Sequence, residues 1–238
     1  MSNYDVRDFL GSAEYKQELA LQRTFMTRVY SWMTIGLLCT ALTALVVSSS
    51  EALWRPLFTS GLFWVLIIAE FGIALGFRFA LRAVPVAVAA GMFLVYSILT
   101  GATLSVVLLV YTKASVYGTF FITAGMFAGI SAFGYVTKRS LDSIGSFCMM
   151  GLWGLILASV VNIFLRSDGM SWIISFVGVV IFTGLTAYDT QKFKQAYAEG
   201  GTGTAENQKI GLLGAFELYL DFINLFIYLL RFLGNRRD

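Results

Sequence analysis

Along the chain, apolar residues fall in seven long blocks separated by short polar breaks, at about 29–48, 61–80, 85–110, 116–136, 144–165, 171–197 and 208–231. Each reaches the roughly 20 residues that an α-helix needs to cross a bilayer. The pattern predicts an all-α, polytopic membrane protein. Residues 1–28 read as a polar N-terminal tail, 29–231 as a seven-helix transmembrane domain, and 232–238 as a short basic C-terminal tail. The third block is long for one crossing, which predicts a tilted helix or a break near Gly101. The breaks between blocks are short and carry the charge: Glu51 and Arg55; Arg78 and Arg82; Lys113; Lys138, Arg139 and Asp142; Arg166 and Asp168.

Charge then gives the blocks a direction. Numbering the breaks alternately, eleven basic residues fall on the side of the N-terminus, among them Arg23, Arg28, Arg78, Arg82, Lys138, Arg139, Lys192 and Lys194. Six fall on the other: Arg55, Lys113, Arg166, Arg231, Arg236 and Arg237. Cytosolic loops hold the excess of lysine and arginine, so the N-terminus is expected in the cytosol and the C-terminus across the membrane. The basic C-terminal tail runs against that trend. Residues 1–28 mix both signs and lack an early apolar core, unlike a signal peptide.

Composition narrows the chemistry. The chain is 58% hydrophobic and 13% charged, against about 25% charged in soluble domains. Its +3 net charge does not suggest nucleic acid. Histidine is absent, which removes histidine general bases, haem-ligating histidines and most zinc catalysis; no cofactor is expected. Cys39 and Cys148 lie inside apolar blocks and read as small buried hydrophobes, without disulfide or metal-ligand spacing. Gly72 and Gly76, and Gly125 and Gly129, lie four apart, a spacing that suits close helix packing within the bundle. Trp32, Trp54, Tyr111 and Trp172 sit near block ends, where interfacial anchoring is expected.

Four acidic residues fall inside the blocks: Glu70, Asp189, Glu217 and Asp221. A carboxylate within an apolar span is costly and faces the bundle interior with a partner. One reading is that these acids pair with arginine or helix ends and only fix packing. The other is that they mark an ion or proton pathway. Glu217 lies near the start of the last span, where water can reach it. Asp189 and Asp221 belong to two blocks joined by E-G-G-T-G-T-A-E, Glu199 to Glu206, whose glycines suit a hairpin tip. Counting back from that tip at about 1.5 Å per residue, the two aspartates differ in depth by about 7 Å, so contact is within reach. Two carboxylates in contact resist joint ionisation and share a proton. Protonated, the pair hydrogen-bonds and staples span six to span seven. Doubly ionised, it repels itself and attracts a cation; hard oxygen ligands suit Ca²⁺, weakly when there are only two carboxylates.

On the last span Asp221, Asn224 and Arg231 share one face by helical spacing, giving it a polar stripe. Arg231 then lies near the outer end, where Glu70 of the second span can approach it and close that side like a latch. The alternative is an arginine that snorkels to the interface.

The runs G184-L-T-A-Y-D-T-Q-K, L218-Y-L-D-F-I-N-L-F and Y117-G-T-F-F-I-T-A-G-M-F resemble the Bax-inhibitor-1 family, the transmembrane Bax inhibitor motif proteins. S31-W-M-T-I-G-L-L and L94-V-Y-S-I-L-T-G-A-T-L-S fit as well, and the likeness covers nearly all the chain after about residue 25. It looks closest to the bacterial inner-membrane branch. The resemblance implies a seven-helix bundle with the last helix central, a pH-sensitive di-aspartyl unit matching Asp189 and Asp221, and a Ca²⁺ leak down its gradient. It further implies a closing pair matching Glu70 and Arg231, and a second-span arginine near the aspartates, for which Arg78 and Arg82 compete.

Other functions fit less well. An intramembrane aspartyl protease needs G-x-G-D at its second aspartate, where this chain has L218-Y-L-D. A light-driven pump needs a Schiff-base lysine in the interior of the last span, which has none past Lys209 at its start. The second function worth carrying is an interaction protein: some bacterial members of the resembled family are thought to modulate a membrane-anchored ATP-dependent protease, with the N-terminal tail as the handle.

Overall fold

The computed structural model describes the backbone of residues 3–200 and 205–237 and the side chains of 16–197 and 205–237. Its described residues form eight helices: α1 (Asn3–Ser49), α2 (Glu51–Thr59), α3 (Leu62–Ala83), α4 (Val86–Val110), α5 (Lys113–Val136), α6 (Asp142–Leu165), α7 (Asp168–Gly200) and α8 (Ala205–Leu233). Seven are long and apolar enough to cross a membrane, all but α2. The protein is thus an all-α polytopic membrane protein. The glycine-rich tip expected between Glu199 and Glu206 includes 201–204, which lie outside the described residues, as do 1–2 and 238.

Short local signals end each helix. Pro85 holds Val84 extended, with φ −111° and ψ 156°, because the proline ring disfavours helix at the residue before it; α3 stops there and α4 starts from Pro85. Thr112 opens α5 by accepting a hydrogen bond from the Ser115 N–H at 3.3 Å, which satisfies one of the free donors at a helix start. The turn from α2 into α3 passes through Gly61 at φ 80°, a left-handed conformation that costs glycine nothing.

Three expectations change. The stretch read as the first linker is itself the helix α2, whose charges Arg55 and Glu51 pair at 3.1 Å on its exposed side. Span α4 is unbroken, and Gly101 is a contact point instead of a hinge: a Cβ there would meet the Thr40 carbonyl oxygen of α1 at 2.5 Å. Gly72, Gly76, Gly125 and Gly129 do not pack within the bundle, since a Cβ at each would meet nothing within 4 Å. Four-residue spacing identifies a helix face without saying which way that face points.

α8 is the axis. In its apolar stretch 67% of residues are buried, against 6% for α3, and Leu218, Tyr219 and Leu225 are fully buried. It packs against α1, α3, α4, α5 and α7. α1 extends well before residue 29: Phe25 and Met26 are core residues, Phe25 lies against the Tyr197 ring at 5.1 Å between centroids, and the Gln22 side-chain amide donates to the Lys194 carbonyl at 3.1 Å. Past α8 the chain turns back. The Thr112 N–H donates to the Asn235 carbonyl at 3.1 Å, and the Arg237 N–H donates to the Val110 carbonyl at 2.8 Å. Tyr111 is buried beside this tail and is not an interfacial anchor.

Candidate functional site

The C-terminal half of α7 carries the run Y188-D-T-Q-K-F-K, in which most side chains have a separate partner. Gln191 pins α7 to the α5–α6 connection: its side-chain oxygen accepts from the Leu141 N–H at 2.8 Å, and its amide donates to the Arg139 carbonyl at 2.9 Å. Lys194 donates to the Tyr135 carbonyl of α5 at 2.7 Å. The Phe193 ring fills the space left by Gly214 of α8, where a Cβ would meet it at 2.9 Å. These anchors fix the rotation of α7, so that Asp189 and Lys192 turn toward α8.

There Lys192 meets Glu217, with Asp221 one turn further along α8; among the described residues no hydrogen bond joins Asp189 to Asp221. The Lys192 ammonium donates to Asp189 Oδ1 at 3.0 Å and also to Glu217 Oε2. It lies 4.7 Å from the Phe193 ring centroid and 5.7 Å from that of Tyr188. Arg78 of α3 reaches the other Glu217 oxygen, at 3.9 Å, from a largely exposed position; Arg82 forms no ion pair among the described residues. Asp189 and Asp221 are both buried. The charges within electrostatic reach of Asp221 are Asp189, Glu217 and Lys192, and the Cys148 thiol of α6 lies in the same field. Asp221 Oδ2 is buried with no hydrogen-bond partner. A buried acceptor left without a donor forfeits its hydration without replacement, so Asp221 is the costliest group in the cluster.

Two features escaped the sequence. Lys192 was counted there only as a topology marker, although its D-x-x-K spacing from Asp189 places the two on one helix face. Glu217 is not left to water: it is half-buried and held by Lys192 and Arg78.

At the opposite end of the bundle, Glu70, Tyr96, Thr100, Thr103, Asn224, Arg231 and Arg236 line a cavity of about 430 Å³. Glu70 accepts from the Thr103 hydroxyl at 2.9 Å. Among the described residues no ion pair joins Glu70 to Arg231: they share this cavity without closing it as a pair, and the Arg231 guanidinium lies 5.9 Å from the Tyr228 ring centroid. Asn224 donates back to the Leu220 carbonyl at 2.8 Å. Glu217, Asp221, Asn224, Tyr228 and Arg231 fall within one sector of α8 by helical periodicity, a stripe from the acid cluster to this cavity. Beside the stripe the axis is filled by rings: Phe77 stacks on Phe216 at 4.1 Å, and Phe93 and Tyr96 meet both Phe216 and Tyr219 edge-on. The Tyr219 hydroxyl bonds Thr40 at 2.6 Å, and Thr40 donates to the Ser97 carbonyl at 2.9 Å. No group of three His, Cys, Asp or Glu among the described residues is arranged to hold a metal ion.

Fold and site together define a seven-span membrane protein with an ionisable cluster between its two most buried helices. The chain belongs to the family described as inhibitor of apoptosis-promoting Bax1, whose model matches residues 22–238. It is 46% identical over 217 residues to the inner membrane protein YbhL of Escherichia coli K12, covering 90% of this chain and 93% of that protein. It is 45% identical to an uncharacterized protein, RP147, of Rickettsia prowazekii, over 91% of each chain. With an uncharacterized protein of Borreliella burgdorferi the identity is 43%, over 94% of this chain and 97% of the relative.

Proposed function

We propose that this protein is a pH-sensitive cation leak of the bacterial inner membrane, with Ca²⁺ as the conducted ion and the Asp189–Asp221 pair as its gate. The observation that carries this is Asp221: a buried carboxylate whose Oδ2 has no partner among the described residues, within electrostatic reach of Asp189. An intramembrane ionisable group in such a setting marks a pathway more often than a packing device. The stripe through Asn224 to a polar cavity at the far end gives a route of hydratable groups beside the aromatic plug. Glu70 and Arg231 guard that cavity's mouth. The inner-membrane assignment follows YbhL, and the cytosolic N-terminus follows the bias of basic residues.

The sign of the pH response follows from charge. At low pH the pair holds a proton, neutralises its own repulsion and keeps α7 against α8. As pH rises the proton leaves, two carboxylates repel across the contact, and a cation gains a binding partner. The groups facing the pair are Lys192 on α7, Glu217 on α8, Arg78 on α3 and Cys148 on α6, and Lys192 holds the balance below full repulsion. In proteoliposomes, Ca²⁺ flux should rise between pH 6 and pH 8, and Asp189→Asn and Asp221→Asn should each flatten that rise. Flux that is absent, or indifferent to both substitutions, removes the channel reading.

A further inference from the structure

We infer that the Lys192 ammonium is a tethered stand-in for the conducted cation, occupying the Asp189–Glu217 position until a divalent ion displaces it. The inference rests on the cation-leak reading and adds a residue that sets which ions are accepted. Three facts support it. Lys192 is bonded at once to carboxylates on two different helices, Asp189 on α7 and Glu217 on α8. Its ammonium is flanked by the Phe193 and Tyr188 rings, which favour a cation with part of its water removed. Within reach of the same field, Asp221 keeps an oxygen that no group among the described residues bonds.

A lysine side chain is a flexible four-carbon stem ending in a strongly hydrated point charge, and this one is about a quarter exposed, so water is near enough for it to swing out. The carboxylate oxygens of Asp189 and Glu217 that it leaves behind are hard ligands of the kind Ca²⁺ takes, with water completing the shell. Charge then selects the ion. A monovalent cation that displaces Lys192 substitutes one positive charge for another and gains nothing in field. A divalent cation brings one charge more against the two carboxylates of Asp189 and Glu217. The tethered ammonium therefore raises the threshold for all ions and discriminates against those of single charge.

Lys192→Met keeps the length of the stem and removes the charge. Purified protein in detergent at pH 8, titrated with ⁴⁵Ca²⁺, should bind about tenfold more tightly in this variant, the order of effect for a charge removed from a desolvated cluster. Lys192→Arg, which restores a cation, should bring the affinity back toward that of the original chain. In proteoliposomes Lys192→Met should also lower the ratio of Ca²⁺ to K⁺ flux. A readout on the unsubstituted protein guards against misfolding of the variant: Ca²⁺ at pH 8 should speed covalent amine labelling of Lys192, read by mass spectrometry, while leaving Lys194 unchanged. If the protein conducts Ca²⁺ with the expected dependence on Asp189 and Asp221, but Lys192→Met leaves affinity and ion ratio unaltered or Ca²⁺ leaves labelling unaltered, the inference falls and the leak stands. If the original chain neither binds nor conducts Ca²⁺, both fall.

Discussion

Asp221 is the residue whose surroundings are hardest to reconcile with simple packing. Every other charged member of its cluster has a partner: Asp189 and Glu217 share Lys192, and Arg78 closes on Glu217. Replacing a buried, unpartnered carboxylate by its neutral isostere removes a desolvation cost of about 1–3 kcal/mol. On the leak reading, in which the pair is ionised at pH 8, Asp221→Asn should therefore raise the thermal unfolding midpoint at pH 8 and narrow the gap between pH 8 and pH 6. A lower midpoint at pH 8 would mean that the carboxylate contributes to folding. The similar depth of the two aspartates was legible in the sequence because rise along a helix is arithmetic; the choice between Arg78 and Arg82 was not, since both lie near the same end of α3. Nor was Lys192, since a lysine near a span end is the ordinary mark of topology. Which of its rotamers reaches α8 depends on the anchoring of α7 by Gln191, Lys194 and Phe193, which only the assembled bundle reveals.

At the scale of helices, hydropathy located all seven spans because the bilayer imposes one length on all of them. It missed α2, nine residues too short and too charged to stand out, and it misjudged the glycines. Contact between α1 and α4 runs through Gly101, where the Thr40 backbone leaves no room for a side chain. Gly101→Ala should lower stability by about 1–3 kcal/mol through overpacking. Gly72→Ala, at a position open on all sides, should leave it unchanged or slightly higher, because alanine favours helix. Thermal unfolding in one detergent compares the two. Equal effects would mean that α1 and α4 separate more easily than their contact implies. The first helix carries a related lesson: a tail drawn at residue 28 cuts through the core residues Phe25 and Met26.

For the molecule as a whole, α8 lies at the centre with α7, α1 and α5 packed most extensively against it, and α3 and α6 have their apolar faces turned outward. Sidedness is the remaining global property. With Cys39 and Cys148 replaced by alanine, a cysteine at Lys113 should react with an impermeant maleimide on intact cells, and one at Lys138 only after the membrane is opened. The reverse pattern would invert the proposed orientation. The C-terminal strap gives this architecture a mechanical character. Residues 235–237 are bonded through their backbones to the turn between α4 and α5, so the central rod is tethered at that end and joined to α7 at the other. A rod held this way pivots. Any tilt driven by repulsion between α7 and α8 moves the tethered end least and the Ala205 end farthest, so a small separation of the charges near the middle of α8 is enlarged at the α7–α8 hairpin end.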